Sequence, residues 1–199
     1  AYDAFVRERV LAPMGVRDME LGRSLAEDQP DDEVHYHGYA GARDVVSVFP
    51  QHSERVQRPY GGFNLEAMDA HGGWIAHTED LVRFLTAIDG RDGRADFLSA
   101  ASITTMVERP DMDHWSRRAW YYGMGLSVRP MRGDTNRWHN GSLPGTSTIF
   151  LRSYHGLTWA VLTNGRTANG SDFLGALDAA IWQAVEAVSQ WPEYDLFED

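Results

Sequence analysis

The residues best placed to do chemistry lie in one stretch, Trp138-His139-Asn140-Gly141-Ser142-Leu143-Pro144-Gly145-Thr146-Ser147. It reads as a polar, glycine-rich corner between the end of one strand and the start of the next. Gly141 and Gly145 let backbone amides come close to a ligand. Amides in such a corner can form half of an oxyanion hole. The same spacing also describes a plain β-turn with a capping histidine, and spacing alone leaves both readings open. Gly141-Ser142-Leu143-Pro144-Gly145 puts its serine one place too early for a Gly-x-Ser-x-Gly nucleophile elbow, so Ser142 is not read as a nucleophile.

Other constellations are weaker. His35-x-His37 has no third ligand at a convincing spacing, and no metal is expected. His71 and His77 flank Gly72-Gly73, with Glu79 and Asp80 close behind, which describes a cap and a solvated helix start. Of the two, His71 is the candidate to line a cleft and touch substrate, because loops carry function disproportionately. Asp69 and His71 are too close in sequence to pair as a catalytic couple. Trp120, Tyr121 and Tyr122 read as core and cleft wall rather than as a base, and Tyr60-Gly61-Gly62-Phe63-Asn64 as a connection able to cover a substrate.

Composition removes whole classes of mechanism. The 199 residues contain no cysteine and no lysine, so disulfides, thiolate nucleophiles, lysine bases and Schiff bases are all unavailable within them. No cofactor is expected. The formal net charge of −11 repels nucleic acid and anionic membrane surfaces. No apolar run reaches the roughly 18 residues of a membrane span, no signal-peptide pattern opens the chain, and no compartment is assigned. The chain opens Ala-Tyr-Asp-Ala-Phe without Met and turns helical at once, which reads as a chain cut before a helix.

The positioning elements follow from periodicity. Phe5, Val6 and Val10 share a helical face over Tyr2 to Leu11, which Pro13 stops. Leu21 to Arg43 is loop, Val45 to Phe49 a short strand, and Gln51 to Asp69 loop. Thr78 is expected to cap a helix that buries Leu81, Phe84, Leu85 and Ile88 and closes at Gly90; a second helix covers Ser99 to Glu108. Period-two patterning then predicts strands over Trp120 to Val128, Ser147 to Arg152 and Leu157 to Thr163, the last two joined by a hairpin at Ser153-Tyr154-His155-Gly156. Ser171 is expected to cap a final helix with Leu174, Leu177, Ile181, Ala184, Val185 and Val188 in one stripe. The expected architecture is α+β, an antiparallel sheet meander flanked by helices. It divides into a helical and loop region (1–118), strands plus the C-terminal helix (119–190) and an acidic tail (191–199). Three strands and one helix make a thin core, which fits a sheet that expects further strands.

The ordered set of motifs resembles the serine β-lactamase/penicillin-binding-protein family, which includes class C β-lactamases, D-alanyl-D-alanine carboxypeptidases and related esterases. His139-Asn140-Gly141 resembles its third active-site motif, Lys-Thr-Gly or His-x-Gly. Tyr2 to Gly22 resembles the helix and turn after its second motif. Gly72-Gly73-Trp74-Ile75-Ala76 with Glu79-Asp80-Leu81 and Phe84-Leu85 resembles its Gly-Gly turn and helix. Tyr122-Gly123-Met124-Gly125-Leu126 resembles the strand before the third motif, and Leu157 to Asn164 the last core strand. The resemblance implies the C-terminal part of a β-lactamase/transpeptidase-like fold whose Ser-x-x-Lys and Tyr-x-Asn motifs lie in a segment before Ala1.

By the same resemblance, His139 would face the substrate or nucleophile and Ser142 would give its backbone N–H to the oxyanion hole, these two being the expected catalytic residues. Asn140, Gly141 and Gly145 would contact substrate, with Asn140 standing where threonine is commoner. The partners implied are a small-molecule or peptide substrate and the missing N-terminal segment. The chain alone would be inactive, and the complete protein would hydrolyse a β-lactam, a D-Ala-D-Ala peptide or an ester; the alternative is a non-catalytic module that binds a peptide or a partner chain. If a His139 cation matters, activity falls as pH rises through about 6.5.

Overall fold

The structure, a computed structural model, describes residues 1–52, 54–194 and 197. Helix α1, Tyr2–Val6, continues into a π-helical turn, Arg7–Leu11, and a 3-10 turn, Ala12–Met14, where Pro13 and then left-handed Gly15 end it as the pattern predicts. Two short ribbons follow. β1, Glu20–Leu21, pairs with β4, Trp74–Ile75, and β2, Val45–Val46, with β3, Arg55–Val56. The predicted strand at 45–49 thus shrinks to two residues, and it finds its partner inside the expected loop. Ser24, almost wholly buried, ties this region together: the Glu66 carboxylate accepts its N–H and its hydroxyl, and Leu65 N–H donates to that hydroxyl at 2.7 Å.

Helix α2 runs Thr78–Thr86, with His77 rather than Thr78 at the cap position, because the Asp80 carboxylate accepts the His77 N–H at 3.2 Å. Helix α3 is Ala100–Val107, and Ser99 caps it by accepting Ser102 N–H at 3.2 Å. After a short α4, Asp113–Ser116, the chain enters the main sheet. Its strands are β5, Tyr121–Tyr122; β6, Ser127–Met131; β7, Asp134–Leu143; β8, Thr146–Arg152; and β9, Thr158–Thr163, antiparallel and in sequence order. The last helix, α5, Gly170–Ala187, starts one residue before Ser171, with Asn169 at the cap position.

Two sequence expectations are corrected here. The single strand expected over Trp120 to Val128 is two strands, broken where Gly123 N–H turns back onto the Leu126 carbonyl at 2.8 Å. The stretch read as a corner after Trp138 is the second half of the longest strand, and the chain turns only at Pro144-Gly145. Its residues, rich in Asp, Asn and Gly, are poor strand formers by themselves. A ladder to β6 holds Asp134 to Trp138 and a ladder to β8 holds Arg137 to Leu143, so pairing overrides propensity. The hairpin at Ser153 to Gly156 forms as expected, with Gly156 N–H on the Ser153 carbonyl at 2.9 Å.

The core lies between α2 and the sheet. Leu85, Ile88 and Leu126 are buried together, with Met14, Phe84, Leu98, Met106 and Phe150 packed around them. Helix α5 covers the opposite face, resting on β8. It buries no residue completely, and Ala184 and Val188 of the expected stripe are exposed. The acidic tail lies outside the described residues at 195, 196, 198 and 199; of the rest, Phe197 lies under the Arg83 and Arg94 guanidiniums, 4.3 and 4.7 Å from its centroid.

Charge is locked into one end of the sheet. Arg152, 2% exposed, donates to the Asp134 carboxylate at 3.1 Å and to the carbonyls of Thr135 and Ser153 at 3.3 and 3.1 Å. Arg91 reaches the same Asp134 oxygen at 2.6 Å, and Arg137 donates to the Asp89 carbonyl at 3.1 Å. Burial alone would raise the Asp134 pKa. The Thr135 N–H and the Arg152 and Arg91 guanidiniums outweigh it and hold the carboxyl below the usual range. A carboxyl with a lowered folded-state pKa contributes stability above its unfolded pKa and loses it as pH falls through the folded value. Asp134→Asn should therefore cost about 1–3 kcal/mol near neutral pH, and the gap from wild type should close on acidification below about pH 4. Urea denaturation of both proteins across that range checks it; a gap independent of pH removes the Asp134 charge from the account.

Candidate active site

The geometry of the site follows from the parity of hydrogen bonds along β7. In an antiparallel pair, residues alternate between exchanging two hydrogen bonds and exchanging none. Leu143 and Thr146 face each other across the two-residue loop Pro144-Gly145, so they form a bonded pair, and Gly141 and His139 follow at the bonded positions toward β8. Asn140 and Ser142 point their N–H and C=O groups the other way, toward β6. But β6 ends its pairing at Ser127, opposite Trp138. From His139 to Leu143 the edge of β7 away from β8 has no strand beside it, and no other backbone hydrogen bond among the described residues reaches Asn140 or Ser142. The N–H of Ser142 is therefore a donor directed into an open strand edge.

His139 stands at the start of that edge. Alternation puts it on the face covered by α2, where its ring lies 6.2 Å from Phe150, its cross-strand partner, and Phe150 in turn meets Phe84 of α2 at 6.5 Å. Its Nε2 lies 3.1 Å from the Tyr122 hydroxyl, with the two rings edge to face at 6.0 Å. Half-burial lowers its pKa, since desolvation penalises the imidazolium and no carboxylate stands close enough to offset it. Tyr122 is the residue that sequence reasoning left in the wall of the cleft; the Tyr-Gly-x-Gly segment marked its strand, but nothing local marked its reach to His139.

The remaining candidates are divided between faces. Asn140, next to His139, projects to the α5 side, where it lines a cleft of about 220 Å³ with Trp138, Ile149, Leu151, Leu174 and Asp178. Burial raises the Asp178 pKa, against the opposing pull of Arg129 and the Trp182 indole N–H. The Ser142 side chain also takes the α5 side, with its Oγ 3.1 Å from where a Cβ on Gly170 would stand, so its hydroxyl and its amide point in different directions. Gly141 leaves no room for a side chain, because a Cβ would come 2.9 Å from Thr148 Oγ1. Gly145 has φ +84°, and a Cβ there would meet Tyr36 and Pro59 at 2.6 and 2.7 Å. It serves the turn and the packing of the 30s loop, where Tyr60 Oη accepts the Tyr36 N–H at 2.6 Å.

His71 ends a 3-10 segment, Glu66–His71, on the surface, and no hydrogen bond or ring contact joins it to β7 among the described residues. His35 leans on Tyr60, ring nitrogen to hydroxyl 3.4 Å, and the His37 N–H donates to the Asn164 carbonyl at 2.9 Å. No group of three metal-ligating side chains occurs among the described residues, and no helix there is long and apolar enough to cross a membrane.

Comparison with known proteins places this arrangement. The beta-lactamase family model matches residues 1–181. The D-amino acid amidase from Ochrobactrum anthropi SV3, in complex with L-phenylalanine amide, superposes with a TM-score of 0.64 at 22% identity, over 94% of this chain and 51% of that one. The penicillin-binding protein from Bacillus halodurans gives 0.62 at 14%, over 89% and 49%. A D-stereospecific amidohydrolase from Streptomyces gives 0.56 at 18%, over 82% and 44%. The chain thus spans about half the length of these structures. None of the curated protein sequences matches it. With the family model covering most of the chain, the fold shared with the amidase and the penicillin-binding protein, and a His-Asn-Gly strand at an open edge, the chain belongs to the beta-lactamase family of serine hydrolases.

Proposed function

We propose that this chain is the C-terminal, substrate-facing portion of a serine hydrolase that cleaves an amide or ester through an acyl-enzyme. Its Ser-x-x-Lys and Tyr-x-Asn motifs would come from polypeptide outside these 199 residues. The observation that carries the proposal is the open edge of β7 from His139 to Leu143, with the Ser142 amide directed into it. A tetrahedral intermediate needs preorganised donors where its oxyanion forms, and a backbone amide on a strand paired along its other side costs no reorganisation. Ser142 N–H then supplies one donor and the N–H of the nucleophilic serine the second. Gly141 keeps the strand flat where substrate lies alongside, and His139 faces the reacting groups from the α2 side. Asn140 and His71 take no part in the chemistry on this reading. Among β-lactams, D-Ala-D-Ala peptides and esters, the amidase and amidohydrolase among the similar folds favour an amide.

The same open edge supports a second reading. An unpaired strand edge accepts an extended peptide as an added strand, which would make the chain a non-catalytic peptide-binding module. Covalent labelling separates the two. Joined to the upstream segment of its own gene, the protein should take one fluorophosphonate or penicillin label on the upstream serine, and the 199-residue chain alone should take none. An unlabelled assembled protein would favour the binding module, and a label on a residue of this chain would overturn the assignment of the nucleophile.

Ser142→Pro tests the amide itself. It deletes an N–H that lies outside the β7–β8 ladder, and should slow acylation about 10²–10³-fold, while Ser142→Ala should leave it close to wild type. Equal loss in both would remove the oxyanion role. His139, its pKa lowered by burial, should be neutral at working pH. The ratio of wild-type to His139→Gln activity should then stay flat from about pH 7 to 8.5, above the ordinary histidine value; a ratio falling as pH rises there would restore the cation.

A further inference from the structure

Tyr122 lies at the end of β5, 39% exposed, and it is placed by contacts that owe nothing to His139. Its neighbour Tyr121 is buried and donates its hydroxyl to the Val107 carbonyl at the end of α3, 2.8 Å away, with the Arg109 guanidinium 4.2 Å above its ring. On the other side, Gly123 sits so close to α3 that a Cβ would fall 2.5 Å from the Met106 carbonyl oxygen. The Met124 N–H donates to that same oxygen at 2.9 Å. The phenol is thus delivered to His139 by the packing of β5 on α3, and the glycine of Tyr-Gly-x-Gly is what permits the approach.

A neutral imidazole has one N–H donor and one bare acceptor nitrogen. A phenol O–H is the stronger donor of this pair, and an imidazole nitrogen a better acceptor than a phenol oxygen. We infer that Tyr122 is a positioning residue for His139: its hydroxyl donates to Nε2 at 3.1 Å and locks the ring in the tautomer that carries its proton on Nδ1. His139 then presents a fixed N–H donor beside the open edge of β7, suited to an acceptor oxygen such as an amide carbonyl. The role of that donor in turnover rests on the proposed hydrolase function, whereas the tautomer is a property of this chain.

Long-range ¹H–¹⁵N NMR of the ¹⁵N-labelled chain at about pH 8.5, above the ordinary histidine range, reads the tautomer directly, with His139→Gln giving the assignment. The wild type should show a protonated Nδ1 and a bare Nε2. Tyr122→Phe, which keeps the ring and removes the hydroxyl, should move the proton toward Nε2, while the remaining seven of the eight histidines keep their shifts. A wild-type His139 protonated at Nε2, or a tautomer unchanged in Tyr122→Phe, overturns the inference; if the variant does not fold, the wild-type spectrum alone decides. Because no turnover is measured, failure of the labelling experiment would sink the hydrolase reading without touching this one.

Discussion

The alternation of backbone hydrogen bonds along β7 is the constraint on which the rest depends. One strand serves two purposes because its ladders to β6 and to β8 overlap only at Arg137 and Trp138. From Asp134 to Trp138 the ladder to β6 is made, joined at Arg137 by the ladder to β8, and the residues there are structural. From His139 to Leu143 one ladder is made, and every second amide is left directed outward. A strand in the middle of a sheet would have no donor to offer, and a strand unpaired on both sides would not hold one in place. The open segment is rigid because β8 pairs with all of it, and β8 is itself held by β9.

The first half of β7 carries the electrostatic anchor. Arg152 and Arg137 lie on the face turned to α2, and the carboxylate of Asp134 and the carbonyls of Asp89, Thr135 and Ser153 receive their hydrogen bonds. A chain without lysine builds this entirely from guanidinium, whose planar array of donors can satisfy several oxygens at once where an ammonium acts as a point charge. The anchor sits at the hairpin end of β6 and β7, and the open edge sits at the other end of the same strand. Packing between them is apolar, with Phe150 spanning from His139 to Phe84 and the buried Leu85 cluster.

The two faces of the sheet are unequally covered. The α2 face holds the buried cluster, whereas α5 buries no residue completely and leaves beneath it a cleft lined by Trp138, Asn140, Asp178 and Trp182. A sheet face rich in tryptophan but only half covered matches a chain that spans about half the length of the folds it resembles. It also explains why the neighbours His139 and Asn140, adjacent in the motif, have different surroundings.

Much of this was legible in the residues themselves. The helix at 78–86, the helix that follows Ser99, the hairpin at 153–156 and the α+β class rest on patterns within a dozen residues, where propensity and period are expressed locally, and the family resemblance on the order of such patterns. The family resemblance drew attention to His139 and Ser142. Local reading alone missed β7 as a strand, because Asp, Asn and Gly carry no strand signal and the ladders that hold them belong to residues elsewhere in the sequence. Local reading took Trp120 to Val128 as one unbroken strand, because the break at Gly123 is set by its close approach to Met106, a residue on another element. Sequence adjacency and loop position do not record which face a side chain takes: Asn140 follows His139 in the motif yet lines the cleft on the α5 side, and His71 lies exposed at the end of a 3-10 segment. The sequence by itself determined the family and the chemistry on offer; tertiary pairing alone decided which amide is free, which face each side chain occupies, and that a tyrosine from another strand meets the histidine.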